Sequence, residues 1–408
     1  MTKRVVITGM GIVSPLGSGV KKAFDRLHVL ENCVKYEKEL DAYNGLHTRL
    51  ASRAEDFVIP ADFTRKVTRT AGRGALMALV SAKDALLDAG LSGCDIITSG
   101  KTGVSYGSSI GSLDAILDFY SMCIDHECKK LNSGSYVKMM SHSAAVNISL
   151  YFKTRGRLIT SSTACTSGSM GIGYAYETIK AGKQTVMISG GSDEYGASHI
   201  GVFDALFAAS VKNNTPKLTP APFDRDRDGL VIGEGAGTVI LEDYEHAKAR
   251  GAHIYAEIAG FASNTDGTHI TNPNAEMMAE VMRLALEDAA LPAEAIGYIN
   301  AHGTGTINGD IAESLASAEV FGDKTPISTI KSYTGHTLGA AGAIEAVLSV
   351  EMMNNKWFCP NLNLKNPDER CGKLDYIMNE PRIIDTEYII TNNFAFGGIN
   401  TAIVLKRA

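Results

Sequence analysis

Short runs of β-branched and aliphatic residues recur along this chain, each followed by a stretch with helical spacing, and that alternation constrains the fold most. Arg4–Thr8, Leu158–Thr160, Thr185–Ser189 and Thr238–Leu241 read as strands of a first half, His253–Ile258 and Ile296–Ala301 as strands of a second. Leu76, Leu79, Val80, Leu86 and Leu87 mark one face of a helix that Gly90 ends, and Met278, Val281, Met282 and Ala285 mark another. A further helix spans Gly342 to Asn355. Such alternation predicts a layered α/β architecture. The segment GEGAGTVILE (Gly233–Glu242) also resembles FGGINTAIVL (Phe396–Leu405), each a Gly-rich bend feeding a short apolar strand. The repetition predicts two similarly folded halves, residues 1–250 and 251–408, sharing one body, because no linker or low-complexity tract separates them.

The length of 408 residues suits two domains or one large double core. A formal charge of −6 gives no reason to expect nucleic acid. No stretch reaches the ~18 apolar residues of a membrane span. The N-terminal segment to Gly17 is better read as a first strand than as a leader. Seven scattered cysteines without a CxxC pair indicate reduced thiols in the cytoplasm, and neither a disulfide framework nor a metal site. Gly9-Met10-Gly11 lacks the third glycine and the acidic residue of a dinucleotide fingerprint, so a tight turn after the first strand is expected there.

Three segments carry chemistry. Cys165 follows the strand Leu158–Thr160 and precedes a helix, and free N–H groups at a helix N-terminus lower a thiol pKa. Taken alone, the segment fits an inert buried thiol as well. His302, in NAHGTGT, follows a strand end, where open α/β sheets place ligands. Lys331 and His336, in KSYTGHTLGAAG, again stand between an apolar strand and a helix. One Cys and two His form the set needed for thioester chemistry: the thiolate takes an acyl group, and neutral imidazoles donate to an oxygen that becomes an enolate.

The motifs TACTSG, NAHGTGT and K-x4-GHTLGAAG resemble those of the β-ketoacyl-(acyl carrier protein) synthases I and II, and the likeness covers essentially the whole chain. It includes RVVITGMGIVSPLG at the start, PFDRDRDGLVIGEGAG (Pro222–Gly237) and NNFAFGGIN (Asn392–Asn400). The resemblance implies a thiolase fold, two βαβαβαββ halves in five αβαβα layers. It implies that Cys165 holds the acyl chain, with the N–H groups of Cys165 and Phe396 as oxyanion hole. His302 and His336 would hold the malonyl thioester oxygen and drive decarboxylation, Lys331 would tune them, and Glu345 would fix the network. Thr271, Thr304 and Thr306 would bind the pantetheine arm, Phe396 would gate the site, and Ile110 would line the acyl tunnel. No cofactor is implied beyond the phosphopantetheine of acyl carrier protein.

Two His rather than His plus Asn separate the chain from the similar initiating synthases, and Cys165 rather than Gln separates it from chain-length-factor subunits. Arg65, Lys66, Arg69 and Arg73, with Lys129 and Lys130, form a basic group suited to an acidic carrier protein. The run Asp224–Asp228 is expected to form an internal ion-pair network, and Asp310 and Glu313 a cap at a helix start. Ala395, Ile399 and Leu230 depart from the residues common in fatty-acid enzymes (Gly, Thr and Phe). The alternative they motivate is a specialised type II polyketide or aryl-polyene ketosynthase. The expected assembly is a homodimer, or a heterodimer with a ketosynthase-like paralogue.

Overall fold

The computed structural model describes residues 2–408, so Met1 lies outside the described residues. In the first half β1 (Val5–Ser14), α1 (Arg73–Asp88), β2 (Thr102–Gly107), α2 (Ser143–Phe152), β3 (Leu158–Ser161), α3 (Ser167–Lys180), β4 (Val186–Asp193) and β5 (Gly235–Asp243) follow in order. The second half repeats the succession with β6 (Ala256–Thr265), α4 (Ala275–Ala289), β7 (Ile296–Asn300), α5 (Ile307–Phe321), β8 (Pro326–Ser328), α6 (Ala341–Asn354), β9 (Tyr388–Ala395) and β10 (Ile399–Arg407).

The spatial orders match: β3-β2-β4-β5-β1 in one half and β8-β7-β9-β10-β6 in the other. In both, the strands reached by helical crossovers run parallel and the closing strand is antiparallel. The halves join where β1 pairs antiparallel with β6, Val5 opposite Ile258. Helices α1 and α2 cover the outer face of the first-half strands, and α4 covers that of the second with α5 beside it. Helices α3 and α6 lie between the halves, against each other and against strands of both. Residues Ala341–Val350 of α6 are all buried, Glu345 among them, as suits a helix packed on every side. The result is a five-layered, thiolase-like α/β fold.

Three sequence expectations need correction. Gly9 and Gly11 lie inside β1 rather than in a turn, because α1 packs directly on the strand. A Cβ at Gly9 would meet the Ala85 carbonyl oxygen at 2.2 Å, and one at Gly11 the Ser81 oxygen at 2.0 Å. Strand β6 begins at Ala256 rather than His253 and runs on to Thr265. Leu87 is 69% exposed and lies off the buried face of α1.

Backbone meets backbone where the halves join at α3. A Cβ at Gly168 would stand 2.7 Å from the Gly339 carbonyl oxygen, and one at Gly191 2.4 Å from that same oxygen. This contact sets the spacing of the segments that carry Cys165 and His336.

Candidate active site

The chain leaves β3 through a short 3₁₀ turn, Ala164–Thr166, and enters α3. Ala164 sits in the left-handed region at φ +50, a strained conformation for a residue with a side chain. Cys165 is buried, and its Sγ lies 2.9 Å from Nε2 of His336. The backbone N–H groups of Phe396 and Cys165 itself both approach the sulfur. The sequence expectation of a lowered thiol pKa does not hold for this closed site. Burial pushes the Cys165 thiol up to about 12, against the Lys331 charge and the two N–H groups.

The tautomer of His336 follows from its neighbours. The N–H of Leu338 donates to its Nδ1 at 3.3 Å, and a backbone N–H has no alternative role. A neutral ring therefore carries its proton on Nε2, facing the sulfur. The His302 ring stands 5.1 Å away at 89° to that of His336. Asn393 Nδ2 approaches Nδ1 of His302 at 3.4 Å, which leaves Nε2 as the protonated nitrogen here too. Burial, with the Lys331 charge second, holds both imidazoles well below their ordinary pKa. Both are neutral donors at pH 7.

Behind the rings, the buried Lys331 ammonium binds Glu345, and Glu345 accepts from Asn393 Nδ2 at 2.7 Å. Glu313 accepts the N–H groups of His302 (2.6 Å) and Gly303 (2.7 Å), and burial pushes its carboxyl up to about 8. Asp310 accepts the N–H groups of Phe223 and Gly305. Both acids thus secure the loop before α5 rather than that helix's own first turn. Within Asp224–Asp228, Arg227 is the internal ion-pair residue, facing Asp368 at 2.7 Å and Asp310 at 3.5 Å. Asp224 instead accepts the N–H groups of Lys365 and Asn366, and Arg225 is exposed.

One cavity of about 390 Å³ collects Cys165, His302, His336, Phe396, Thr271, Thr304 and Thr306. Thr304 and Thr306 hydroxyls lie 3.0 Å apart on its wall. Phe396 packs on Phe203, ring centroids 5.2 Å apart, and Leu230 completes that apolar side. The loop after Phe396 carries Gly397 and Gly398 at φ +91 and +69, and the N–H of Gly397 donates to the Ile270 carbonyl. Ala395 and Ile399 flank this loop, and the Ala395 carbonyl accepts from Gly398. Ile110 lies outside this cavity, lining a separate small one with Ser112 and Glu194. The loop after β2 carries it there, away from the wall of the larger cavity.

Cys165, His302 and His336 bring one ligand atom each within 4.8 Å of one another. The Lys331 charge that depresses both imidazoles also opposes a cation there. Among the basic residues, Arg65, Lys66, Arg69 and Lys130 are exposed, and Lys129 meets Glu127 at 3.0 Å. Arg73 belongs elsewhere: its guanidinium pairs with the buried Glu234 at 2.6 Å. Residues 2–408 contain no helix long and apolar enough to cross a membrane. Sequence reasoning missed Asn393, Glu313 as a backbone acceptor, and Asp193, whose carboxylate binds the N–H groups of Ser109 and Gly339. Asn393 stood inside the quoted motif NNFAFGGIN, which was the one signal that pointed to it.

Family models for the β-ketoacyl synthase N-terminal domain and C-terminal domain match residues 2–247 and 255–365. The chain belongs to the β-ketoacyl synthase family. It is a condensing acyltransferase with a cysteine–histidine–histidine triad. It is 37% identical over 412 residues to 3-oxoacyl-[acyl-carrier-protein] synthase 2 of Coxiella burnetii, covering 99% of each chain. A β-ketoacyl synthase from Burkholderia phymatum superposes with a TM-score of 0.98 at 52% identity, covering 100% of both chains. A type II polyketide ketosynthase, solved in complex with its acyl-carrier protein and bound to a hexaketide, superposes with a TM-score of 0.90 at 31% identity, again over 100% of both chains.

Proposed function

We propose that this β-ketoacyl synthase elongates chains carried on acyl carrier protein, with its nucleophile in residues 1–250 and its proton donors in residues 251–408. The observation that carries this reading is the Nε2–H of His336, aimed at Cys165 Sγ at 2.9 Å while Nδ1 is occupied by Leu338. A neutral donor there suits a developing enolate oxygen and not the base of a Cys–His hydrolase.

Cys165 attacks an acyl-pantetheine thioester; the new thioester forms on sulfur and the pantetheine thiol leaves with the proton. Malonyl-pantetheine then enters past Thr271, Thr304 and Thr306. Nε2–H of His302 and of His336 bind its thioester oxygen, the bond to the carboxylate breaks, CO2 leaves, and the electron pair rests on the enolate. The enolate carbon attacks the Cys165 thioester, and the N–H groups of Cys165 and Phe396 hold the oxyanion. Collapse expels the Cys165 thiolate and releases a chain two carbons longer. Lys331 and Glu345 orient the donors, Phe396 gates the site, and Ile110, at the small cavity it shares with Ser112 and Glu194, lines the acyl tunnel.

Arg65, Lys66 and Arg69, with Lys129 and Lys130, steer the acidic carrier protein. The helix that follows those two lysines packs closely against Arg69 at Gly134, where a Cβ would meet the Arg69 carbonyl at 2.9 Å. A cytoplasmic location is supported by the free cysteines. A specialised polyketide or polyene pathway, with a homodimer or a paralogous partner, is the second reading. It is favoured by Ala395 and Ile399 beside the gate and Leu230 at the cavity. Incubation with a graded panel of acyl carrier protein thioesters tests both readings. The expected result is an acyl adduct on Cys165 by intact mass and CO2 release from malonyl carrier protein; no adduct from any chain overturns the elongating role.

A further inference from the structure

The carboxylate that ends β4 has no place in the chemistry above, yet it is 1% exposed, and among the described residues it makes no salt bridge, with His199 the one basic side chain that bears on it. Burying a carboxylate without a counter-charge is costly unless hydrogen bonds replace its water. Asp193 has them from two directions. Oδ1 accepts the Ser108 hydroxyl at 2.8 Å and the Ser109 N–H at 3.0 Å, both from the loop after β2. Oδ2 accepts the Ser109 hydroxyl and, at 2.6 Å, the N–H of Gly339. Gly339 follows Leu338, which is held in the left-handed region at φ +53 and presents its own N–H to His336 Nδ1. Only glycine fits after it, because a Cβ at 339 would stand 2.7 Å from Asp193 Oδ2.

We propose that Asp193 is a positioning residue for the condensation: by anchoring the Gly339 N–H it holds the Leu338 turn that fixes His336 as the Nε2–H tautomer. The Ser109 N–H faces Oδ1 and the Gly339 N–H faces Oδ2, and each of these backbone donors requires an acceptor. Asp193→Asn therefore turns an amide N–H toward one of them and loosens either the Ser108–Ser109 loop or the Gly339 turn. The inference rests on His336 acting as an Nε2–H donor, as proposed above.

A double-mutant cycle with His336→Asn tests it, since that substitution removes the imidazole whose tautomer is at issue. Asp193→Asn is expected to slow malonyl carrier protein decarboxylation by about 10–100-fold in the parent, by analogy with the range seen for partners that orient a metal-bound His. In the His336→Asn background the same change is expected to cost under about 3-fold. Acyl transfer to Cys165 is expected to survive in both. Equal losses in both backgrounds overturn the proposal. Nitrogen-15 spectra of histidine-labelled parent protein give a second measure that needs no variant. A His336 protonated on Nδ1 overturns the proposal even if Asp193→Asn does not fold. Failure of the elongation reading looks different, as parent protein that decarboxylates no malonyl carrier protein.

Discussion

After β3 the chain turns into α3 through Cys165; after β8, the matching strand of the second half, it turns into α6 through Lys331 and His336. After β2 comes a loop with Ser108 and Ser109 and then two added helices, Leu113–Asp125 and Ser133–Met139, before α2 begins. After β7 the chain passes His302, Thr304 and Thr306 and enters α5 at once. The surroundings differ in sign as well. Asp193 stands behind the nucleophile without a cation, whereas the Lys331–Glu345 pair stands behind the histidines. One duplicated frame thus offers the same strand ends twice. One copy became an acyl holder with a surface insert, the other a set of neutral donors.

If the halves divide the work in this way, their half-reactions separate. Cys165→Ala should cut condensation by at least about 10³-fold while CO2 release from malonyl carrier protein persists. Loss of both together would break the comparison. His302→Ala and His336→Ala should do the reverse, lowering decarboxylation by about 10²–10³-fold with the Cys165 acyl adduct still seen by intact mass. Lys331→Met should cost about 3–5 kcal/mol of stability, because it leaves Glu345 buried and unpaired. Denaturant titration measures this.

The thiol gives a pH signature. Its pKa is pushed up to about 12 by burial, so the thiolate is the minor form at neutral pH and grows about tenfold per pH unit. Iodoacetamide alkylation of Cys165 should climb steadily from pH 7 to 10; a plateau near pH 9 would show that the helix N-terminus outweighs burial. The smallest effect belongs to the first half's surface. Arg65→Glu or Lys66→Glu should raise KM for the carrier protein several-fold, chiefly at low salt, with kcat unchanged.

Much of this was legible in the sequence because strand ends and helix starts announce themselves by period and by glycine. Cys165, His302, Lys331 and His336 each sit at such a junction, and their order along the chain matched one chemistry. Asp193 could not be read that way. It ends an apolar strand, and its role depends on the Gly339 N–H, 146 positions away. Arg73 looked like a member of a basic surface run, and only the tertiary pairing with Glu234 removes it. Gly9 and Gly11 resembled a turn because sequence cannot tell a glycine chosen for its dihedral angles from one chosen for its missing side chain.

The backbone contact among Gly168, Gly191 and Gly339 bears on how such a catalyst can change. Side chains repack when their neighbours mutate, but a peptide oxygen against two α-carbons has no rotamer to adjust. The distance between nucleophile and donor is therefore held by backbone packing, at a point where an added side chain does not fit. The apolar residues around Phe203 and Leu230 carry no such constraint. Substrate range can drift there over many generations while the reacting atoms keep their places.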